Sequence, residues 1–600
     1  MDAKTADQPE TISERYTWDL TEYYADDAAF EAALAKLTDE ELPAYRNAVE
    51  AIDDADTLLA ALKLFDTLYE DLDRAFNYAQ SKADLDATDA HATEQVGAVV
   101  NFNMSLSVVE SAFENKALAL DDAFWDDAIK DAGFDPYRHM LTNLREDAEH
   151  VLSDDKEALL VPSYRASSDL MSVFDKLSNS SIAYPEVDGP DGEKVVANYT
   201  NYLVALTDTD RVYRRRFVEA YAGVYDRFRD TFAANLGAAT NLSEQLAKIH
   251  GYASRLDQKT RDSRTTVEIY DALLEGARDN TAVVAREAAL RKAALGVDTL
   301  YSYDSRVAIG HAVAPDFEYE QACGIVKDAL GVLGKAYVGT LDEAFANRWI
   351  DVFPAEHKDT GANAGRTVGI HPWVLTNFTG NFNSVSTLAH ELGHAIHQYR
   401  SYAAQEGAYN RDPTAVTSEV ASTANELLLS RYMIAHATDE HQRLYYVQQE
   451  LELLNGTFFG QMLYADFEKR AHAVVEVGGT LTADTLDGIY AEAYRTFRPG
   501  FTPLPDDDSH WAAVPHFYYG YYVYVYAMDV SVACNVVERL EAGDPTALEA
   551  YETFLAAGDS ADTVELFARL GVDVTDPSYI EPLVRRYSEL LDEEERLLGV

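Results

Sequence analysis

The stretch SVSTLAHELGHAIHQYRS, Ser384 to Ser401, sets His390, Glu391 and His394 in the pattern H-E-x-x-H. Val385, Leu388, Ala389, Leu392 and Ile396 recur at helical spacing, so the segment reads as a helix with one apolar side. Asn383 or Ser384 is the expected N-cap. Positions i and i+4 share a helix face, so His390 and His394 can point their imidazoles at one Zn²⁺. Glu391 stands one step round the helix, where it can reach a water but not act as the natural third ligand. Gly393 lies mid-helix at a propensity cost of about 1 kcal/mol, which suggests that another chain element comes close there.

A catalytic zinc takes three protein ligands and keeps a position open. A histidine six residues after His394 would fall at position 400, which is Arg400, so that option fails. His397 turns away from the pair and reads as a supporting or surface histidine. An acidic ligand from a following helix remains. In AVTSEVASTANELLLSRYMI the apolar side is Val420, Ala424, Leu427 and Leu428; Glu419, near the start, and Glu426, two turns on, are both candidates. A carboxylate on such a face is costly to bury unless it has a partner such as a metal.

The surrounding chain narrows the class. Its 600 residues imply two or more domains, and 103 acidic against 49 basic side chains give a net charge of −54. Nucleic acid and anionic membrane surfaces would be repelled and are excluded as partners. With 11% aromatics and abundant helical periodicity the charge does not signify disorder; a distributed acidic surface suits a folded protein from a salt-adapted organism. Cys323 and Cys534 are the only cysteines, too few for a disulfide framework or a cysteine metal cluster. No apolar run is read as approaching a membrane span, and the start lacks a basic segment followed by an apolar one. The protein is expected to be soluble and cytoplasmic, with residues 1 to about 14 frayed.

Amphipathic helices begin at YTWDLTEYYADDAAFEAALAKL and continue to SIAYPEVDGPDGEKVVANYT, whose Pro and Gly-containing turns separate two short strands, a hairpin. A boundary near Tyr202 divides the chain into an N-terminal helical domain, 1–201, and a catalytic domain, 202–600. Helices resume to about 350. IDVFPAEHKDTGANAGRTVGIHPWVLTNFTGNFNS then carries strand-like pieces among glycines and leads into the H-E-x-x-H helix. PWVLTNFTGN has the alternation of a strand that could pair with an extended peptide.

TLAHELGHAIH followed by Glu419 in SEVAS, 25 residues after His394, resembles the thimet oligopeptidase-like zinc metallopeptidase family, most closely its oligoendopeptidase F group. HGYASRLDQ, IDVFPAEHKDTGANAG, HFYYGYYVYVYA and LGVDVTDPSYIEPLV extend the resemblance over nearly the whole chain. It implies a mainly α, multi-helix metallopeptidase with a deep substrate channel and a small β element beside the zinc helix. It also implies one Zn²⁺ per chain and short peptides as substrates. Carried over by motif, His390, His394 and Glu419 are the metal ligands and Glu391 is the general base.

Peptide hydrolysis also needs donors for a tetrahedral oxyanion. HFYYGYYVYVYA, His516 to Ala527, offers a histidine and six tyrosines, most of which read as aromatic core. The resemblance points to His516, Tyr522 and Tyr524, while His510 with Tyr519 and Tyr522 fits another spacing of the same pattern. An exopeptidase is the competing enzyme class; no G-x-M-E-N segment supports an aminopeptidase. A peptide-binding protein with a vestigial metal site would not need Glu391 beside both histidines.

Overall fold

The computed structural model describes residues 12–599, so most of the start expected to fray lies outside the described residues. The chain is mainly α, with five short strands among the described residues. Contacts group it into two compact units, each assembled from three separate segments. One comprises the chain up to Ala158, Pro315–Leu429 and Val536–Gly571; the other comprises Leu159–Ala314, Ser430–Asn535 and Val572 onward.

This grouping differs from the division at 201/202 for a physical reason. The hairpin that marks the sequence boundary is no linker. Its strands β1 (Glu186–Asp188) and β2 (Lys194–Val196) pair antiparallel. Val187 and Ala197 then pack with Ala205, Tyr213 and Phe217 in one apolar cluster, which carries the hairpin onto the helix Arg211–Ile249. In the first unit the opening YTW segment is tied instead to residues more than 300 positions away. The Trp18 indole N–H donates to the carbonyls of Trp349 at 3.0 Å and Val374 at 3.1 Å.

The Val374 carbonyl belongs to, and the Trp349 carbonyl directly precedes, a small sheet of β3 (Ile350–Asp351), β4 (Asn363–Gly365) and β5 (Trp373–Leu375), in the order β3-β5-β4. β3 runs parallel to β5, with Ile350 opposite Val374, and β4 runs antiparallel, with Ala364 opposite Val374. The PWVLTNF strand is therefore central and already paired on both sides, so it offers no edge to a peptide; the edges belong to β3 and β4. The loop between β3 and β4 is pinned by Lys358, whose ammonium donates to Asp351 Oδ1 at 2.6 Å and to the carbonyls of Phe353 and Thr376 at 2.8 and 2.7 Å. At 1% side-chain exposure that ammonium survives only because all its protons are placed.

The N-terminal layer of the same unit is built on α1 (Ala55–Leu85) and α2 (Ala90–Leu118). Asp54 caps α1 and Asp89 caps α2, each accepting from first-turn backbone N–H groups. α2 corrects one expectation: it is long and apolar enough, by length and composition, to cross a membrane, with a window of mean hydropathy 1.3. The run is inconspicuous because its Val, Ala, Phe and Met residues are interspersed with Asn, Ser and Glu rather than set in a block of Leu or Ile. Val99, Phe102, Leu106, Val109 and Phe113 are its buried stripe, packed in the unit's core.

The site-bearing residues of this unit lie on two further helices. α3 (Phe382–Ala404) carries the H-E-x-x-H segment and lies against β4 and β5; α4 (Ser418–Ala435) follows it. The N-cap of α3 is Asn381, whose side chain accepts from Ser384 N–H, rather than Asn383 or Ser384. The helix thus starts two to three residues earlier than its apolar pattern indicates, because Phe382 is itself buried.

Candidate metal centre

The geometry of the centre follows from how closely α3 and α4 approach. A Cβ built on Gly393 would lie 2.6 Å from Ser422 Cα and 2.7 Å from the Ala421 carbonyl oxygen, so only glycine lets the two backbones touch. Next to this contact Asn425 bridges the helices: its amide donates to the Ala389 carbonyl at 2.9 Å, and its oxygen accepts from Tyr337 at 3.0 Å. Glu419, in the first turn of α4, is thereby set against the histidine face of α3.

The structure brings His390, His394 and Glu419 together, with one potential ligand atom from each within 4.8 Å of the others. The two Nε2 atoms are 3.2 Å apart, and Glu419 Oε2 lies 3.4 Å from His390 Nε2 and 3.3 Å from His394 Nε2. Donors at 2.0–2.1 Å from a tetrahedral zinc would stand about 3.3 Å from one another, so the three atoms already form one face of such a site. The donor set, two imidazoles and a carboxylate, is also one that a catalytic zinc takes.

Glu426, the other candidate, has a different place. Its Oε2 lies 3.0 Å from His390 Nδ1 and its Oε1 accepts from Ser386 at 2.9 Å, so it orients the ring from behind and turns Nε2 toward His394 and Glu419. This role was not read from the sequence. The signal was available, since Glu426 lies two turns from Glu419 on one face of α4. Ser422 fixes Glu419 in turn, donating to its Oε2 at 2.8 Å.

Charge follows the same geometry. Burial would lower the His390 pKa, but Glu426 first, then Glu391 and Glu419, outweigh it and raise the imidazole to about 9. Burial would raise Glu419, yet His394, His390 and Ser422 hold its carboxyl down to about 2. Glu391 is 6% exposed, and burial pushes its carboxyl up against the pull of both histidines, the direction expected of a carboxylate that must take up a proton. His397 is neither a ligand nor a surface residue. It is buried beside Phe554, and burial, with the neighbouring His394, pushes it down to about 3.

The tyrosine-rich segment belongs to the other unit. Gly520 and Tyr521 are both left-handed, at φ 64° and 57°, and the Tyr521 N–H donates to buried Glu468 at 2.5 Å. This turn links the short helix Pro515–Tyr518 to the helix that begins at Tyr524. It leaves Tyr519 exposed and Tyr522 half-buried beside His516, with ring centroids 5.7 and 6.4 Å from the imidazole. Tyr524 is withdrawn as a donor: it is 1% exposed, and its hydroxyl lies 3.3 Å from that of Thr265 in the core. His510 is separate from the His516 group; its ring neighbours are Tyr202 and Tyr490. Tyr526, unselected in the sequence, stands 6.1 Å from His516 and 5.4 Å from Tyr522.

Comparison with known proteins gives a consistent result. The profile of the family described as "Peptidase family M3" matches residues 204–584, and that described as "Oligopeptidase F" matches residues 117–184. The oligopeptidase PepF of Bacillus subtilis is 29% identical, covering 97% of this chain and 87% of its own length. Group B oligopeptidase PepB of Streptococcus agalactiae is 28% identical, covering 99% of each chain. Among solved structures, oligoendopeptidase-F from Enterococcus faecium superposes with a TM-score of 0.75 at 26% identity over 96% of this chain and 99% of its own. A Chlamydophila abortus protein reaches 0.86 at 24% identity over 98% and 99%, a likeness of fold.

Two substitutions test the construction. Gly393→Ala should push α4 off α3 and lower kcat/KM for peptide cleavage ~100-fold, the cost of a misplacement of about 1 Å. Unchanged kinetics would contradict the contact's role. Glu426→Gln should weaken metal binding about 10- to 100-fold in a metal-buffered titration. Wild-type affinity would remove Glu426 from the centre.

Proposed function

The chain belongs to peptidase family M3, and on that premise we propose that it is a zinc-dependent oligoendopeptidase cutting internal bonds of short peptides. The observation that carries this reading is the triangle of His390 Nε2, His394 Nε2 and Glu419 Oε2, edges 3.2–3.4 Å, with buried Glu391 adjacent in the same helix. Those three residues would hold one zinc, which when bound would supply Lewis acidity and lower the pKa of a water toward neutrality.

The chain's own residues do the rest. Glu391 takes the proton of the attacking water as its oxygen bonds to the scissile carbonyl carbon, and then delivers that proton to the leaving amine. Its buried carboxyl, with a raised pKa, suits both halves of that exchange. Glu426 keeps His390 in the ligating orientation throughout. The family resemblance makes His516 and Tyr522 the candidate oxyanion donors, with Tyr519 as a further hydroxyl in the same aromatic group. No covalent enzyme intermediate is needed. β4 lies against α3 and has an edge with no strand on it among the described residues, so an extended peptide can add there through main-chain hydrogen bonds. Such pairing gives affinity with little sequence preference.

Mass spectrometry of digests of short peptides blocked at both ends tests this reading, with a chelated sample alongside. Internal cuts that vanish with chelator are expected. Glu391→Gln should keep the metal and lose ~10²–10⁴-fold in turnover. Cleavage confined to unblocked peptides would make the enzyme an exopeptidase, and a fully active Glu391→Gln would refute the base.

A further inference from the structure

Arg366 has no ionic partner. In a chain of net charge −54, its guanidinium makes no hydrogen bond or ion pair with the described residues, and its Nε and Nη1 are buried without a partner. Desolvating a cation without pairing it is expensive, and with 103 carboxylate side chains in the sequence pairing would have been easy to arrange. The guanidinium carbon lies instead 4.6 Å from the Tyr399 ring centroid and 5.5 Å from that of Tyr402, two aromatic faces from α3. Stacking holds the plane of the group and leaves an edge unused.

That group lines an open cavity of about 770 Å³ at one end of the small sheet. The segments flanking all three strands, together with α3, supply its wall. Arg348 and Trp349 stand just before β3, Arg366 just after β4, His371 just before β5, and Tyr399 on α3. The His371 and Trp349 rings stack at 5.3 Å and 11°, forming a flat apolar shelf. Arg348, the other strong cation here, is spent: it donates to the carbonyls of Thr17 and Trp18 at 2.8 and 2.6 Å and to Asp19 at 3.2 Å. His371 has Glu22 at 3.2 Å, and Glu22 and Glu343 also line the cavity. One uncommitted cation with two carboxylates beside it favours a monoanion over a phosphate dianion. The cavity is separate from the metal centre: Tyr399 follows His394 by five residues, a rotation of about 140° round an ideal helix.

We propose that this cavity is a binding site for a small organic carboxylate, which Arg366 holds by charge while the Trp349–His371 shelf and Tyr399 receive its apolar part. A free organic acid and the C-terminus of a peptide offer the same carboxylate. Bound there, the ligand touches both the sheet end and α3, the helix that carries the metal-centre histidines.

The test is calorimetric titration of the metal-loaded enzyme at fixed ionic strength, with the metal centre saturated by acetohydroxamate. The probes are hippurate for a peptide terminus, benzoate for a free acid, and hippuramide as the uncharged control. Saturable binding of hippurate or benzoate but not hippuramide is expected, at least tenfold weaker in Arg366→Gln and intermediate in Arg366→Lys. Hippurate binding without benzoate assigns the site to peptide termini, and the reverse assigns it to free acids. Absence of saturable binding, equal binding of hippuramide, or full binding by a folded Arg366→Gln protein would overturn the proposal. Carboxylate binding seen in a parallel titration without acetohydroxamate and absent with it would overturn it too, since the carboxylate would then have been sitting on the metal. If Arg366→Gln fails the circular dichroism check for folding, Arg366→Lys carries the comparison.

Discussion

The centre depends on one steric constraint, the absence of a side chain at Gly393. With the α3 and α4 backbones in contact there, a carboxylate in the first turn of α4 reaches two imidazoles one turn apart on α3. The helix gives up about 1 kcal/mol of propensity at that glycine. In exchange Glu419 is fixed by packed backbone, Asn425 and Ser422 rather than by a flexible loop. Ligands on rigid elements are what a site needs if its geometry is to exist before the metal arrives. The small sheet also packs against α3 through β4 and β5, and the Trp18 indole ties the N-terminal segment to it.

The electrostatics of the centre make sense only with a cation in view. Three carboxylates, Glu391, Glu419 and Glu426, converge on two imidazoles in a half-buried setting. Burial would lower the His390 pKa, but the three carboxylates outweigh it, so in the absence of metal a proton there would offset part of their charge. Ligation requires neutral imidazole, so metal uptake must displace this proton, and binding should weaken as the pH falls through the range in which His390 is protonated. The surface charge of −54 acts on another scale. It is spread over the whole chain and does not set the local chemistry, which depends on contacts of 3–4 Å.

Much of this was legible in the sequence, where the physics is local. The histidine pair, its apolar helix, the close approach at Gly393 and the hairpin at 186–196 all follow from spacing and residue type. The choice between Glu419 and Glu426 did not, because both lie on one face of α4; the outcome depends on where that helix crosses α3. Strand order was hidden as well. PWVLTNF alternates as an edge strand would, and only the long-range pairing of β3 and β4 makes it central. Tyr524 and Tyr522 are indistinguishable by type, and they part company at a turn whose left-handed Tyr521 is held by a residue 53 positions away. Arg366 drew no notice because nothing in a sequence announces a missing partner.

The central claim is that His390, His394 and Glu419 together hold one zinc. X-ray absorption spectroscopy of the metal-loaded protein, with metal content measured on the same sample, tests it most directly. The account predicts one zinc per chain with two imidazole nitrogens and a carboxylate oxygen, and loss of the imidazole scattering in a His390→Ala, His394→Ala double variant. A spectrum unchanged in that variant, or a first shell with no imidazole, would place the metal elsewhere and contradict the account.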